Sequence, residues 1–538
     1  MNQDFRLLCG QFLKREYADS PVRASALGLT QFDDQLDDVS ASAFERRRVE
    51  DQDWLRQFRA VRDGDLDLEE RIDRDFVVSI LRGREITEPL LMWKKQPATY
   101  LNPGLSGVFT LFLHRLRPEP ELVAAARSRL EKVPDNIAAG VGNIDWSMTP
   151  RVYVDRAIGQ ARAAVRYARE LLPAEVRDAG LREKLALSGA VAAKAFDQFA
   201  TFLETNKTKA SGSYAVGEQT YTALLREKEL LAVDARQLRE RGREEWDRLD
   251  REMRKLAKEI DGSEDWAALL ERLNQLHAPT PDGMREEYAE WTERAREYLR
   301  RTGLVTLPPG EECSVDPSPP FQRPVLAVAS YNGPPQFAPS MQGHFFVPYP
   351  PEGTSPEELR QRLEGNSTYS IPTTSVHEAY PGHHWHITMV KWRAPSPVRK
   401  VYWTSYFGEG WALYAERVMR EQGFFEDPRA LLYQYEATIF RAARIVVDTI
   451  MMKRGNLTEP NAKAEVGRYC SWPTQASSYL TGMLEIVDIR ERYLRRLGRR
   501  DVDALRQFHD AITSSGSMPT ALAERAIGGA SAVAAGAG

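Results

Sequence analysis

Cysteine is scarce in this chain of 538 residues: Cys9, Cys313 and Cys470 are all it has. Three scattered thiols exclude both a disulfide framework and a thiolate zinc site. Long hydrophobic runs are missing too. No apolar stretch approaches the ~18 residues that span a bilayer, so no membrane partner is expected. The opening Met-Asn-Gln-Asp-Phe-Arg lacks a basic stretch leading into an apolar one, so no signal peptide is read there. An excess of one charge is also absent. The 73 Lys and Arg stand against 77 Asp and Glu, for a net charge of −4. That balance removes the electrostatic case for a nucleic-acid partner. Together these absences point to a cytoplasmic protein. Nothing repeats at a fixed period. What is present is apolar mass, 42% of residues, enough for a large core.

Histidine is scarce as well, but its placement is uneven. Four of the 8 histidines, His377, His383, His384 and His386, fall within residues 375–386, and Glu378 follows the first directly. A His-Glu pair followed by another His suits a metal-assisted hydrolase. One ring holds the metal while the adjacent carboxylate faces the water that the metal activates. In H-E-x-x-H the histidines lie at i and i+4 on one helix face. Here i+4 is Pro381, and the next histidines stand at i+6 and i+7. Proline removes a donor and clashes one turn back, so the helix must kink at Tyr380-Pro381. Gly382 lets the backbone recover. A bulge of two residues would return His383 to the i+4 place, with His384 as the alternative second ligand. The plainer reading is a capping box, Ser375-x-x-Glu378, in which Glu378 only reaches back to a helix start.

The third ligand is sought at Glu409, 26 residues past His383, in Gly408-Glu-Gly-Trp-Ala-Leu-Tyr-Ala-Glu416. Trp411, Ala415 and Val418 keep helical spacing, while Glu409 and Glu416 share another face. A glutamate from a crossing helix is the third ligand in glutamate-type zincins. An amphipathic helix with solvent-facing acids is the plainer alternative.

Upstream, residues 1–302 read as a helical lobe. Leu249, Met253, Leu256 and Ile260 keep helical spacing, and Asp234 with Gln237 marks that helix's start. Val191, Ala195, Phe199 and Phe202 mark another helix. The Arg/Glu-rich run from Arg226 to Arg254 reads as a solvated face. Residues 308–351 hold 12 of the 32 prolines, which excludes continuous helix there. Val325–Ala329 and Gly343–Val347 read as short strands. Residues 303–527 form the second, catalytic lobe, and residues 528–538, rich in Ala and Gly, read as a disordered tail. Within that lobe, Leu432, Tyr435, Ile439, Ala443, Val446 and Ile450 line one helix face. Arg441, Arg444 and Asp448 lie on the other, as an ion pair or as support for the site. Arg468 and Arg490 could each bind a substrate carboxylate or form a salt bridge. His509-Asp510 reads as structural.

His377-Glu-x-x-Pro-Gly-His-His384, followed by Glu409-Gly-Trp-Ala-Leu-Tyr-Ala-Glu416, resembles the bacterial family called domain of unknown function 885. Arg468-Tyr469, residues 473–482 and Phe508-His509-Asp510 continue the resemblance, clearest over residues 370–525. Residues 217–221 carry it more weakly. That family groups with the zincin metallopeptidases, and its layout is more distantly similar to angiotensin-converting-enzyme-like and thimet-oligopeptidase-like peptidases. The resemblance implies a mainly α fold: a two-lobed, gluzincin-like helical body with a small β-sheet beside the active-site helix. It implies a single Zn2+ on His377, His383 and Glu409, with Glu378 as general base and Tyr479 supporting the oxyanion. The glycine before the second histidine favours His383 over His384. Zincins lay an extended peptide along a sheet edge. Here that edge would be Gly343–Val347, with His344 and Phe345 beside the substrate, or the strand belongs equally to a small packing sheet; Arg468, Tyr469 and Arg490 complete the substrate-binding set. The implied substrate is a short peptide or an amide-containing small molecule. Three departures stand out: Ile450-Met451-Met452 replaces a usual Gly-x-His, Trp385-His386 a frequent Leu-Gln, and Leu413 an Asp or Ser that supports the histidine in other zincins. They keep open a hydrolase or lyase for one small metabolite, and a non-catalytic helical protein that binds metal.

Overall fold

The computed structural model describes residues 2–320, 322–323, 328–446 and 466–534. Helices dominate, and one small sheet interrupts them. Helix α1 (Ala179–Asn206) buries Ala195 and Phe199, as read from the sequence, but Val191 is 44% exposed. Its buried stripe runs instead through Leu185, Ala192, Phe196 and Leu203. Helix α2 (Ala235–Asp261) starts as its sequence predicts. The Asp234 side chain accepts from the N–H groups of Arg236 and Gln237, and Gln237 returns to the Asp234 N–H. Its Leu249, Met253 and Leu256 are buried. Helix α3 (Pro281–Thr302) closes the first half.

Two hydrophobic clusters organise the packing. The smaller joins residues between Val39 and Leu203. The larger draws on Phe5 to Leu81, Leu225 to Val305 and Phe345 to Ile527, so it crosses the change of composition near residue 302. Buried polar contacts tie the early chain to the late one. Arg399 donates to Asp73 at 2.6 Å, and Tyr402 donates to Glu16 at 2.7 Å. Removing one partner of a buried pair such as Arg399–Asp73 costs about 3–5 kcal/mol.

The sheet has three strands, β1 (Glu312–Pro317), β2 (Ser330–Asn332) and β3 (Gln342–Val347), in the order β1-β3-β2. β3 pairs parallel with β1 and antiparallel with β2. Gly343–Val347 is thus a strand, as expected, but the central one. Both its edges are hydrogen-bonded, so it cannot add an extended peptide. Phe345, Phe346 and Val347 are buried, as a strand covered on both faces requires. Residues 325–327 of the other expected strand lie outside the described residues; the strand that forms follows them at Ser330.

The second half supplies α4 (Ile371–Glu378), α5 (His383–Arg393), α6 (Ser405–Glu421), α7 (Pro428–Val446), α8 (Ser478–Leu497), α9 (Val502–Ser514) and α10 (Thr520–Ala534). The expected disorder from residue 528 gives way to helix as far as Ala534, because alanine is the best helix former and offsets the two glycines, at about 1 kcal/mol each. Asp448 and Ile450–Met452 lie outside the described residues. Among the described residues no helix is long and apolar enough to cross a membrane.

His509, on α9, is fully buried and structural, as the sequence suggested. Its Nδ1–H donates to the Leu304 carbonyl at 2.9 Å, and Nε2 accepts from the Tyr414 hydroxyl at 2.8 Å. Burial pushes this ring down to about 4. The folded ring therefore stays neutral at pH values where an unfolded histidine, near 6.5, binds a proton. Its contribution is complete above pH ~6.5 and shrinks by about 1.4 kcal/mol per unit as pH falls toward 4. Urea midpoints taken at pH 7.5 and pH 5 should show the loss. His509→Gln should be less stable at pH 7.5 but should lose less on acidification.

Candidate metal centre

The helix carrying the first histidine does more than kink. α4 stops at Glu378, and α5 starts at His383 after a cis Tyr380–Pro381 peptide. The chain folds back so tightly that the Gly382 N–H donates to the Val376 carbonyl at 3.0 Å. A Cβ at Gly382 would lie 1.9 Å from the His377 carbonyl oxygen, so only glycine fits. This re-entry sets the His377 and His383 rings perpendicular, 4.9 Å apart. Ser375 lies inside α4, whose N-cap is Ser370, so the capping-box reading of Glu378 fails.

Glu409 arrives from the first turns of α6. Its Oε2 is 3.2 Å from His383 Nε2 and 3.8 Å from His377 Nε2. The three donor atoms lie within 4.8 Å of one another. Donors about 2.1 Å from one tetrahedral cation would stand about 3.4 Å apart, so the set fits a zinc-sized ion. Burial works against charge on Glu409, but the adjacent His377 and His383 rings outweigh it and hold the carboxyl below its usual range. Burial likewise opposes the His377 imidazolium, while the nearby Glu409 carboxylate and the hydrogen bond to Glu416 lift it to about 9.

Glu416 holds His377 from behind. The Nδ1–H donates to Glu416 Oε1 at 2.8 Å, and Thr373 donates to the other oxygen at 2.7 Å. That bond holds the Nδ1 proton in place and leaves Nε2 facing Glu409, where its lone pair would serve a bound metal once the Nε2 proton is displaced. Glu378 differs from all of these. It is nearly buried, and among the described residues its carboxylate has no hydrogen-bond partner. Burial raises its pKa, against the charges of His377 and His383.

Tyr479 comes from the first turn of α8. α6 and α8 touch at Gly410 and Gly482, where a Cβ on Gly482 would lie 1.8 Å from the Tyr406 carbonyl oxygen. This approach stacks Tyr479 on His377, ring to ring at 6.3 Å. Gln475 donates to the Tyr479 hydroxyl at 3.2 Å, and Arg468 donates to Gln475 at 3.0 Å. Burial, then Glu409, raises the Tyr479 pKa.

The pattern of the family described as bacterial proteins of unknown function, DUF885, matches residues 21–527. The chain belongs to this family. No curated protein matches it in sequence. Two solved structures share the fold. A putative lipoprotein of unknown function from Shewanella oneidensis superposes with a TM-score of 0.75 at 20% identity, over 97% of this chain and 99% of the other. The putative lipoprotein from Colwellia psychrerythraea gives 0.82 at 20% identity, over 98% of each. These neighbours overturn the expectation of a cytoplasmic protein. The fold occurs in proteins described as lipoproteins, so cysteine scarcity and hydropathy do not assign this DUF885 chain to the cytoplasm.

Several expected residues lie elsewhere. His384 is no ligand. Its Nε2–H donates to Glu311 at 2.9 Å and its Nδ1 accepts from Tyr331 at 2.8 Å, so both nitrogens are engaged. Arg296 and Tyr380 hold the same Glu311. Phe345 packs on Tyr288 in the core, at 5.4 Å between rings, instead of beside a substrate. His344 is held by Asp316 and Ser314, both at 3.0 Å, and stacks on Phe346. Arg490 donates to Glu421 at 2.6 Å, near the far end of α6. Those 12 residues beyond Glu409 amount to roughly 18 Å of helix. Arg468 and Tyr469 do gather beside Tyr479. Trp385 and His386 are fully buried, so these two departures from the family face the core.

Sequence reasoning placed Glu416 on the right helix face but gave it no task. Its i, i+7 relation to Glu409 was the available signal. Trp403 was missed altogether. It is 41% exposed, yet its ring lies 6.0 Å from His383.

The geometry predicts a single zinc bound per chain. Metal analysis after dialysis should show it lost in His377→Ala, His383→Ala and Glu409→Ala and kept in His384→Asn. Glu416→Gln should bind about 10- to 100-fold more weakly. The opposite pattern, retention without His383 and loss without His384, would refute this ligand set.

Proposed function

We propose that this protein is a zinc-dependent hydrolase that cleaves an amide bond in a short peptide or peptide-like molecule, on a two-lobed, gluzincin-like helical body. Glu378 carries the reading. A carboxylate left without a hydrogen-bond partner beside three metal donors is what a general base requires. A site that only stores metal has no use for it. Zinc held by His377, His383 and Glu409 would polarise a carbonyl and acidify water.

The remaining work belongs to the chain's own side chains. Glu378 takes a proton from the attacking water onto its carboxylate and then passes it to the leaving amine. Glu416 keeps the Nδ1 proton of His377 in place throughout. The Tyr479 hydroxyl accepts from Gln475, so its own proton is left to donate to the oxygen of the carbonyl under attack. The raised Tyr479 pKa keeps that proton on the hydroxyl at neutral pH.

Glu378→Gln should keep its metal and lose hydrolysis by about 1,000-fold, within the range general bases supply. Tyr479→Phe should lower kcat about 100-fold with little change in KM. The assay is a panel of short peptides and N-acyl amino acids with zinc-loaded protein. An inert zinc-loaded wild type across that panel would sink the proposal.

A further inference from the structure

Among the described residues, one cation near the donors forms no ion pair. Arg441, on α7, makes a single hydrogen bond, from Nη1 to the Ala437 carbonyl of its own helix at 3.1 Å. Its Nε is buried and without a hydrogen-bond partner. It forms no ion pair with any described residue. Its guanidinium lies 5.6 Å from the Tyr479 ring centre, and its charge is felt at Glu378. Arg441 Nε is shielded and unpaired while the residue keeps some access to solvent, and no described residue forms an ion pair with it, so its guanidinium is able to take an anion from outside.

The surroundings reinforce that demand. Arg444, one turn on, sits 4.7 Å from the Tyr479 ring and donates to the Tyr469 hydroxyl at 2.8 Å. Arg468 lies 5.0 Å from the Tyr469 ring. Glu436, on the same helix and within the field of Arg441 and Arg444, pairs with neither; burial pushes its carboxyl up to about 7. Three guanidinium groups thus gather around two tyrosines, one of which stacks on a metal donor.

We propose that Arg441, walled by Arg444, Tyr469 and Arg468, binds a free carboxylate of the substrate, so that the cleaved amide lies close to a chain terminus or to an acidic group. The inference rests on the hydrolase reading and narrows its substrate class. Arg441 is 5.6 Å from a ring that is itself 6.3 Å from His377. An extended residue spans about 3.5 Å, so the carboxylate lies within about three residues of the scissile bond. Arginine suits this task because its planar fork matches both carboxylate oxygens.

The test measures binding, so it stands even if hydrolysis is never seen. Calorimetry on zinc-loaded Glu378→Gln protein compares three N-acetylated tripeptides: a free C-terminal acid, its carboxamide, and a carboxamide bearing a C-terminal aspartate side chain. The free acid should bind about 10- to 100-fold more tightly than the plain carboxamide, the worth of one charge-assisted hydrogen-bond pair. In Arg441→Ala the ratio should collapse toward unity, with metal content unchanged, and Arg441→Lys should restore part of it. If the aspartate peptide shares the preference, the site reads a carboxylate wherever it is attached; if only the free acid does, it reads the chain terminus. Equal binding of acid and plain carboxamide by protein with an intact Arg441 would overturn the proposal, as would an Arg441→Ala ratio that stays high. Should Arg441→Ala fail to fold, the comparison with Arg441 intact still decides.

Discussion

The hydrogen bond from His377 to Glu416 is the contact on which the centre depends. Both groups are buried, and 39 residues separate them in the chain. In so dry a setting the bond is strong, and either partner left alone would be costly. It pins α4 to α6, and with that pinning Glu409, two turns earlier on α6, comes to the open side of the same ring. Thr373 occupies the second Glu416 oxygen, so the carboxylate cannot swing away.

The two sides of the helix break do different work. On one side His377 and His383 meet Glu409. On the other, His384 is locked to Glu311 and Tyr331, while Arg296 and Tyr380 share that carboxylate. This buried network anchors the re-entrant turn to the sheet and to α3. Adjacent histidines therefore have opposite fates: one presents a nitrogen to the centre, and its neighbour spends both nitrogens on holding the turn. The glycine contact between α6 and α8 completes the arrangement by bringing Tyr479 over His377, and α7 adds the arginines behind it.

Much of the donor set was legible because its signal is local. A proline at i+4 forces a break, and glycine after it permits a return, so residue types narrowed the second donor to His383 or His384, and the family resemblance favoured His383. Helix periodicity likewise placed α2 and its capping box. The support for His377 was not legible in the same way. The place where other zincins carry it holds Leu413, and only the crossing of α4 with α6 shows that Glu416 takes the task. β3 was mistaken for an edge because its partner β1 begins 30 residues earlier in a proline-rich stretch. In sequence Arg490 could bind a carboxylate or form a salt bridge, and Arg441 could form an ion pair or support the site. One meets Glu421; the other meets no carboxylate among the described residues.

By itself, then, the sequence determined the chemistry on offer: which imidazoles and carboxylates exist, where helices run, and where one must break. The tertiary structure decided which of those groups are already satisfied. The reason is physical. Backbone propensity and periodicity act over a few residues, so they can be read along the chain. A buried charge is settled by whichever group packs against it, and that partner comes from dozens or hundreds of residues away.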